Sequence, residues 1–207
     1  MSPTSTPPAP GRKTGKRDLI LDAARDCFAR HGFHATGMAE ICETAGMSPG
    51  NLYRYFPSKS AIILAIVDET RKEVMPIYHE LGARSSSADP VEGVEQIMLH
   101  CTQHLCHHRE SRLWTEILAE ASRNEEVRRS YLLFNRELRD VLERLLEAAV
   151  AMGRLAREFN PKTGAAWLIA LLDGAITRRC LDPEEREEAL LETLTSHVRR
   201  MLSPAEA

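Results

Sequence analysis

The spacing of apolar residues is the feature that most constrains the fold of this chain. Ala, Leu and Ile recur three and four residues apart through most of its length, whereas no useful segment alternates apolar and polar residues as a half-buried strand would. The sequence therefore predicts an all-α protein of about nine helices. Its 207 residues suffice for a buried core, and the five cysteines include no C-x-x-C pair. This cysteine pattern is typical of buried thiols in a reducing cytoplasm.

Turn-forming residues divide the chain into three parts. Residues 1–13 are rich in proline, predict a disordered tail and lack the apolar stretch of a secretory signal. Residues 14–60 predict three short helices that begin near Thr14, at Thr36 as N-cap, and at Ser48 as N-cap followed by Pro49. Residues 61–203 predict a larger helical domain, entered by a fourth helix that Ser58 caps. Its later helices are expected at about 90–108, 111–122, 125–152, 161–179 and 183–202.

Charge is distributed unevenly between the two ends. Residues 1–59 carry eight basic and five acidic side chains, a net charge of +3, so the remainder carries −6 of the total of −3. A basic front on an acidic body orients a protein toward phosphate. The longest apolar runs, 61–67 and 165–172, are far shorter than the roughly 20 residues that a membrane helix requires. The chain is therefore expected to meet nucleic acid and not a membrane.

Two short helices within residues 36–55 are joined by Gly46-Met47-Ser48, which predicts a helix-turn-helix. In that motif the second helix enters the major groove of DNA by its N-terminal end. Leu52 and Phe56, four residues apart, would anchor the inner side of this helix to the core. The residues expected in the groove are Ser48, Pro49, Gly50, Asn51, Tyr53, Arg54 and Tyr55.

The segment ILDAARDCFARHGFHATGMAEICETAGMSPGNLYRYFPSKSAIILAIV resembles the N-terminal signature of the tetracycline-repressor (TetR) family. The resemblance covers about residues 16–67, with Cys42 and Met47 where the family more usually has Ala and Val. It implies that Thr36 and Lys59 contact DNA phosphates and that positions 48–51 and 53–55 lie in the groove.

Two later segments, WTEILAEASRNEEVR and AAWLIALLDGAITRR, resemble the regulatory domain of one subgroup of that family. The resemblance implies a homodimer, paired through the last two helices at about 161–179 and 183–202. It further implies a repressor that binds a palindromic operator and releases it when a small-molecule inducer enters the C-terminal domain. The fourth helix is the expected lever, because it belongs to both domains. No cofactor is implied.

The inducer site is expected among the middle helices, as an apolar pocket with a few polar anchors. The alternative for its three large aromatic residues is simple core packing. The residues proposed to line it are His100, His104, Trp114, Glu116, Phe134 and Trp167.

Two other interpretations stay open at this point, and a third is not expected. His100, His104 and His107 would share one face of a continuous helix, which suggests a metal-responsive regulator. A protein partner in place of a small ligand is a further alternative. An enzyme is not expected, because the chain has no G-x-S-x-G, no glycine-rich phosphate loop and no H-E-x-x-H.

Overall fold

A computed structural model of the chain describes residues 15–182, 184 and 186–203, without the side chain of residue 187. These residues form nine α-helices and no strand, which confirms the all-α prediction. The predicted tail and the predicted helix starts at Thr14 and Pro183 lie outside the described residues. The helices are α1 (Lys16–His31), α2 (Met38–Thr44), α3 (Pro49–Tyr55), α4 (Lys59–Ser85), α5 (Pro90–Leu105), α6 (His108–Ala121), α7 (Glu125–Ala151), α8 (Pro161–Leu181) and α9 (Glu187–Met201).

The start of α2 differs from the prediction. Gly37, not Thr36, is the N-cap, and the Glu40 carboxylate accepts a hydrogen bond from Gly37 N at 3.4 Å. Thr36 is only 1 % exposed, and its hydroxyl donates to Gly32 O at 2.8 Å and Cys27 O at 3.2 Å. The hydroxyl is therefore bonded to carbonyls at the end of α1, as Thr hydroxyls near helix ends commonly are.

The 27-residue helix α4 connects the two halves of the molecule. Its predicted cap is confirmed, since Ser58 Oγ accepts a hydrogen bond from Ala61 N at 3.1 Å. Its first two turns bury Ile62, Ile63 and Ile66 completely. The helix packs against α1 on one side and against α5 and α7 on the other. A displacement of α4 therefore reaches both halves.

The remaining helices form the body of the protein. α7 packs against α4, α5, α6 and α8, and α9 packs against α5 and α8. Asn160 caps α8 by accepting a hydrogen bond from Thr163 N at 3.0 Å. α5 ends three residues earlier than predicted, and α6 begins three residues earlier, because Cys106 and His107 form the junction between them. None of the described helices is long and apolar enough to cross a membrane.

Candidate DNA-binding surface and ligand cavity

α3 is attached to the core by one side and exposed on the other. Leu52 is 0 % exposed and Phe56 is buried at the C-cap, so the predicted anchors hold the helix against the core, and α3 packs against α2. Tyr53 is 52 % exposed, and Tyr55 and Arg54 also face solvent. The Arg54 guanidinium donates to Asn51 Oδ1 at 2.7 Å and lies 5.3 Å from the centre of the Tyr55 ring. Three side chains with hydrogen-bonding groups are thus presented outward together.

The N-terminal tip of α3 is also open to solvent. Ser48, Pro49 and Gly50 are exposed, and a side chain at Gly50 would meet nothing within 4 Å. The Ser48 hydroxyl makes no capping hydrogen bond. Gly46 has a φ of +64°, a left-handed conformation that favours glycine, and it makes the tight turn that sets α3 at an angle to α2. The tip of the helix can therefore approach a duplex closely.

The two residues implied to contact phosphate, Thr36 and Lys59, both make hydrogen bonds within the protein. The Thr36 side chain is buried, as described above, so its assignment as a phosphate contact is wrong. Lys59 Nζ donates to Phe33 O at 2.6 Å, Thr36 O at 2.6 Å and His34 O at 3.2 Å, and it lies 4.8 Å from the centre of the Phe33 ring. All three ammonium protons thus bond to the turn between α1 and α2, so Lys59 supports that turn, and this role competes with the predicted phosphate contact.

A small cavity lies between α4, α5, α6, α7 and α8. Its volume is about 20 Å³, which is room for about one water molecule. Three of the predicted ligand contacts, His104, Trp114 and Phe134, line it. The other lining residues are Thr70, Val74, Tyr78, Cys101, Leu105, Tyr131, Asn135, Leu138, Ile169, Leu172 and Asp173.

One polar cluster of the cavity wall centres on Tyr78, which is buried. Its hydroxyl accepts a hydrogen bond from Cys101 Sγ at 3.1 Å and lies 3.3 Å from His100 Nδ1. Burial raises the pKa of Cys101 to about 12 and lowers the pKa of His100 below its ordinary value. His100 therefore contacts the cavity through Tyr78 and does not line it directly.

A second polar cluster joins α7 to α8. The Tyr131 hydroxyl donates to Asp173 Oδ1 at 3.5 Å and accepts from Asn135 Nδ2 at 3.4 Å. Burial is the largest cause of a raised pKa at Asp173. Sequence reasoning missed this cluster, although a signal was present: Asp173 is the one charged residue within 163–177, the most apolar stretch of α8.

Two predicted ligand contacts lie elsewhere. The Glu116 carboxylate accepts a hydrogen bond from Phe33 N at 2.8 Å, so it faces the α1–α2 turn from α6 and not the cavity. Trp167 is 65 % exposed on the outer face of α8. Both predictions were wrong because helical spacing fixes which residues share a face but not which neighbour that face meets.

The predicted metal face is also corrected. His100 and His104 lie on α5 with their rings stacked and the ring centres 6.4 Å apart. α5 ends at Leu105, and His107 is the N-cap of α6. The three histidines therefore do not lie on one helix. In the part of the chain that the structure describes, no group of three or more His, Cys, Asp or Glu side chains is placed to hold a metal ion.

An apolar groove runs along the outside of α8 and α9. It combines small residues of α8 with leucines of both helices, and exposed Trp167 lies at its wall. A side chain at Gly174 would meet nothing within 4 Å. The lining residues are Trp167, Ala170, Leu171, Gly174, Ala175, Arg178, Leu190, Thr193, Leu194 and His197.

An outward-facing second helix of a helix-turn-helix, carried on a helical body with an internal cavity, defines a DNA-binding transcriptional regulator. The chain belongs to the tetracycline-repressor family. Residues 20–66 match the profile of the bacterial regulatory proteins of the tetR family, and residues 90–203 match the C-terminal profile of the BetI-type transcriptional repressors.

Three relatives extend over most of the chain. The HTH-type transcriptional regulator UidR of Escherichia coli is 26% identical over 191 residues, which is 90% of this chain and 93% of UidR. The structure of GusR from Salmonella enterica is 26% identical, with a TM-score of 0.70, and covers 93% of this chain and 98% of GusR. SmeT, the repressor of a multidrug efflux pump of Stenotrophomonas maltophilia, was solved with triclosan. That complex is 27% identical, has a TM-score of 0.69 and covers 88% of this chain and 90% of SmeT.

Proposed function

We propose that this regulator is a repressor that binds a palindromic operator as a homodimer and leaves it when a small hydrophobic molecule enters the cavity. One observation carries the proposal. α4 and α6 both line the cavity and both hold the turn between α1 and α2, through Lys59 and Glu116 respectively. A molecule that moves these helices also moves the DNA-binding surface.

The DNA contacts are assigned to the exposed side of α3. Tyr53, Arg54 and Tyr55 would face base edges and the nearby backbone, and positions 48–51 would form the tip within the groove. The stacking of Arg54 on Tyr55 and its hydrogen bond to Asn51 hold the guanidinium in place before DNA arrives. A side chain that is already ordered loses less entropy on binding.

The dimer interface is assigned to the groove of α8 and α9, as the sequence predicted for about 161–179 and 183–202. A contiguous exposed apolar surface that includes a tryptophan is typical of a protein interface. Pairing along these helices, whose described residues make no substantial contact with α1, α2 or α3, would join two copies without covering α3. The two copies could then present their α3 helices to successive major grooves, roughly 34–36 Å apart.

Release requires the cavity to grow. Its 20 Å³ is far below the roughly 300 Å³ of a small ligand site, so a ligand must push the surrounding helices apart. Such a ligand would favour an expanded form in which α4 and α6 have shifted, and it would shift the population toward that form. The complex of SmeT with triclosan supports a small organic ligand in a relative of this fold.

The operator can be found by selection from a random duplex library with the purified protein. Gel shift with the selected duplex should give a complex that hydrophobic compounds dissociate, and circular dichroism should show that the fold persists. A complex that no compound dissociates, although some bind the protein, would refute control by ligand.

Tyr53→Ala and Arg54→Ala should each weaken specific operator binding by at least about tenfold, because a base contact contributes about 1–3 kcal/mol. Fold and dimer should be unchanged, since both side chains are exposed. Arg129→Ala is the matched control, because it removes an exposed positive charge from α7, where Arg129 pairs with Glu125. Wild-type affinity in both α3 variants would sink the assignment.

A further inference from the structure

The cavity has one strongly aromatic side. The Trp114 ring lies 5.6 Å from the ring of Phe134, edge to face, and 6.1 Å from the ring of Tyr131, measured between ring centres. All three residues line the cavity. The faces of such rings carry a negative electrostatic potential, so they attract a cation as well as apolar groups.

Beside these rings, the cavity wall carries a single carboxylate, that of Asp173 on α8. Its one hydrogen bond is the long contact from the Tyr131 hydroxyl at 3.5 Å. Among the residues that the structure describes, no Lys or Arg pairs with it, and burial raises its pKa. Asp173 is half-buried, and a carboxylate without a cation lacks the partner that would compensate its partial desolvation.

The basic side chain of the cavity wall, that of His104, does not pair with the Asp173 carboxylate. His104 lies stacked on His100 with the two rings inclined by only 12°. Its neighbours on that side are Tyr78 and Cys101, both buried and hydrogen-bonded to each other. The His104 side of the cavity is thus already packed, whereas the Asp173 side offers an acceptor with an unused oxygen.

We propose that the molecule that enters this cavity is a lipophilic cation, with its charged nitrogen between Asp173 and the aromatic rings and its apolar part along α4 and α8. This inference rests on the proposed function and adds the chemical class of the ligand. The positive charge would pair with the Asp173 carboxylate, the rings would cover the rest of the charged group, and Val74, Leu138 and Ile169 would contact the hydrocarbon.

Three probes with the same hydrocarbon chain separate charge from hydrophobicity. Decyltrimethylammonium, decanol and decyl sulfate are cationic, neutral and anionic, and each is titrated into the full-length protein by calorimetry below its micelle concentration. We expect the cation to bind at least about tenfold more tightly than the alcohol, about 1.4 kcal/mol, and the sulfate to bind most weakly. A cation that binds no more tightly than the alcohol, or not at all, overturns the inference.

Asp173→Asn keeps the size of the side chain and removes its charge. In this variant the preference for the cation over the alcohol should fall to less than about threefold, while the affinity for decanol stays at the wild-type value. Asp173→Glu, which keeps the charge, should retain the preference. If the preference for the cation persists in Asp173→Asn, another group attracts its positive charge and the role of Asp173 is refuted. If the variant does not fold, the comparison of the three probes on the wild-type protein still decides whether the site prefers a cation.

Gel shift with the same probes distinguishes this inference from the proposed function. Release of operator by decanol and by the cation at equal affinities would leave ligand control intact and refute the cationic ligand. Tight binding of the cation without release of DNA would support the charged site and refute ligand control. Release by the cation at concentrations at least about tenfold lower than by decanol would support both.

Discussion

Lys59 and Thr36 form a small network that fixes the shape of the DNA-binding surface from inside. The ammonium of Lys59 binds three carbonyls of the turn, and the Thr36 hydroxyl binds two carbonyls at the end of α1. Side chains thus bind backbone oxygens both of the turn and of the end of α1. Since α2 starts two residues beyond this turn, its position depends on these bonds.

Lys59→Met should lower the free energy of unfolding by about 2 kcal/mol, because hydrogen bonds to a charged group are lost while the half-buried carbonyls remain. The slope of operator affinity against salt should stay at the wild-type value, since no phosphate contact is removed. Urea unfolding and gel shifts at several salt concentrations measure the two quantities. Lys72→Met is the control, because the exposed Lys72 pairs only with half-exposed Asp68 on the same helix. An unchanged stability with a salt slope reduced by about one would restore the phosphate role.

Asp173 makes the stability of the protein depend on pH. Burial raises its pKa in the folded state above the unfolded value, so ionisation costs stability as pH rises through the folded pKa. Asp173→Asn should therefore be more stable than wild type near about pH 7, and the difference should shrink toward about pH 4 as the wild-type carboxyl becomes protonated. Urea unfolding at several pH values tests this, with Asp140→Asn on the surface of α7 as control. A difference that grows on acidification would have the wrong sign.

At the scale of elements, α6 connects the cavity with the DNA-binding domain over a very short distance. Trp114 lines the cavity, and Glu116, two residues further along α6, binds Phe33 N. Gly32 has a φ of +80°, and a Cβ there would lie 3.2 Å from a Glu116 carboxylate oxygen. The turn and α6 are therefore in close contact, and under the proposed function α6 would be a second route of coupling beside α4.

Glu116→Ala should weaken this coupling. The concentration of ligand needed to release half of the operator should rise at least about fivefold, while ligand affinity for the DNA-free protein stays within about twofold, because allosteric coupling energies are typically 1–3 kcal/mol. Glu116→Gln keeps an oxygen that can accept from Phe33 N and should behave nearly as wild type. Calorimetry and gel shift separate binding from release. Equal release concentrations for wild type and Glu116→Ala would show that α6 does not transmit the signal.

At the scale of the whole molecule, the proposed function links operator binding to assembly. One α3 helix is only about two turns long, so we expect a tight complex to need two copies on one duplex. The second contact would then be intramolecular and would raise the overall affinity by a factor of about 100 or more. As the proposed dimer interface, the α8–α9 groove would therefore affect DNA affinity from a distance.

Trp167→Glu should convert the dimer to monomers and weaken operator binding at least about a hundredfold. The exposed side chain contributes little to the monomer fold, so thermal unfolding should remain cooperative. Analytical ultracentrifugation and gel shift measure the two effects. Met152→Glu is the matched control, since Met152 is also exposed but lies outside the groove, at the end of α7. A dimeric Trp167→Glu with wild-type operator affinity would place the interface elsewhere.

Local physics explains which parts of the fold could be predicted. Ser58 at the start of α4 and Pro49 at the start of α3 act within one turn of their own positions, so sequence alone identified them. Thr36 has the same kind of side chain as Ser58, yet it is no cap. Carbonyls from α1 lie within reach of its hydroxyl, and this competition exists only once the two helices have packed together.

The amino-acid sequence by itself determined the helices, the helix-turn-helix with Leu52 inward and Tyr53 outward, and the family, because these follow from short-range spacing. Only the tertiary structure decided that Glu116 reaches the α1–α2 turn, that Lys59 is used internally, that Trp167 lies outside, and that Asp173 shares a cavity with aromatic rings from other helices. Helical periodicity specifies which side chains share a face, whereas the packing of distant segments decides what each face meets.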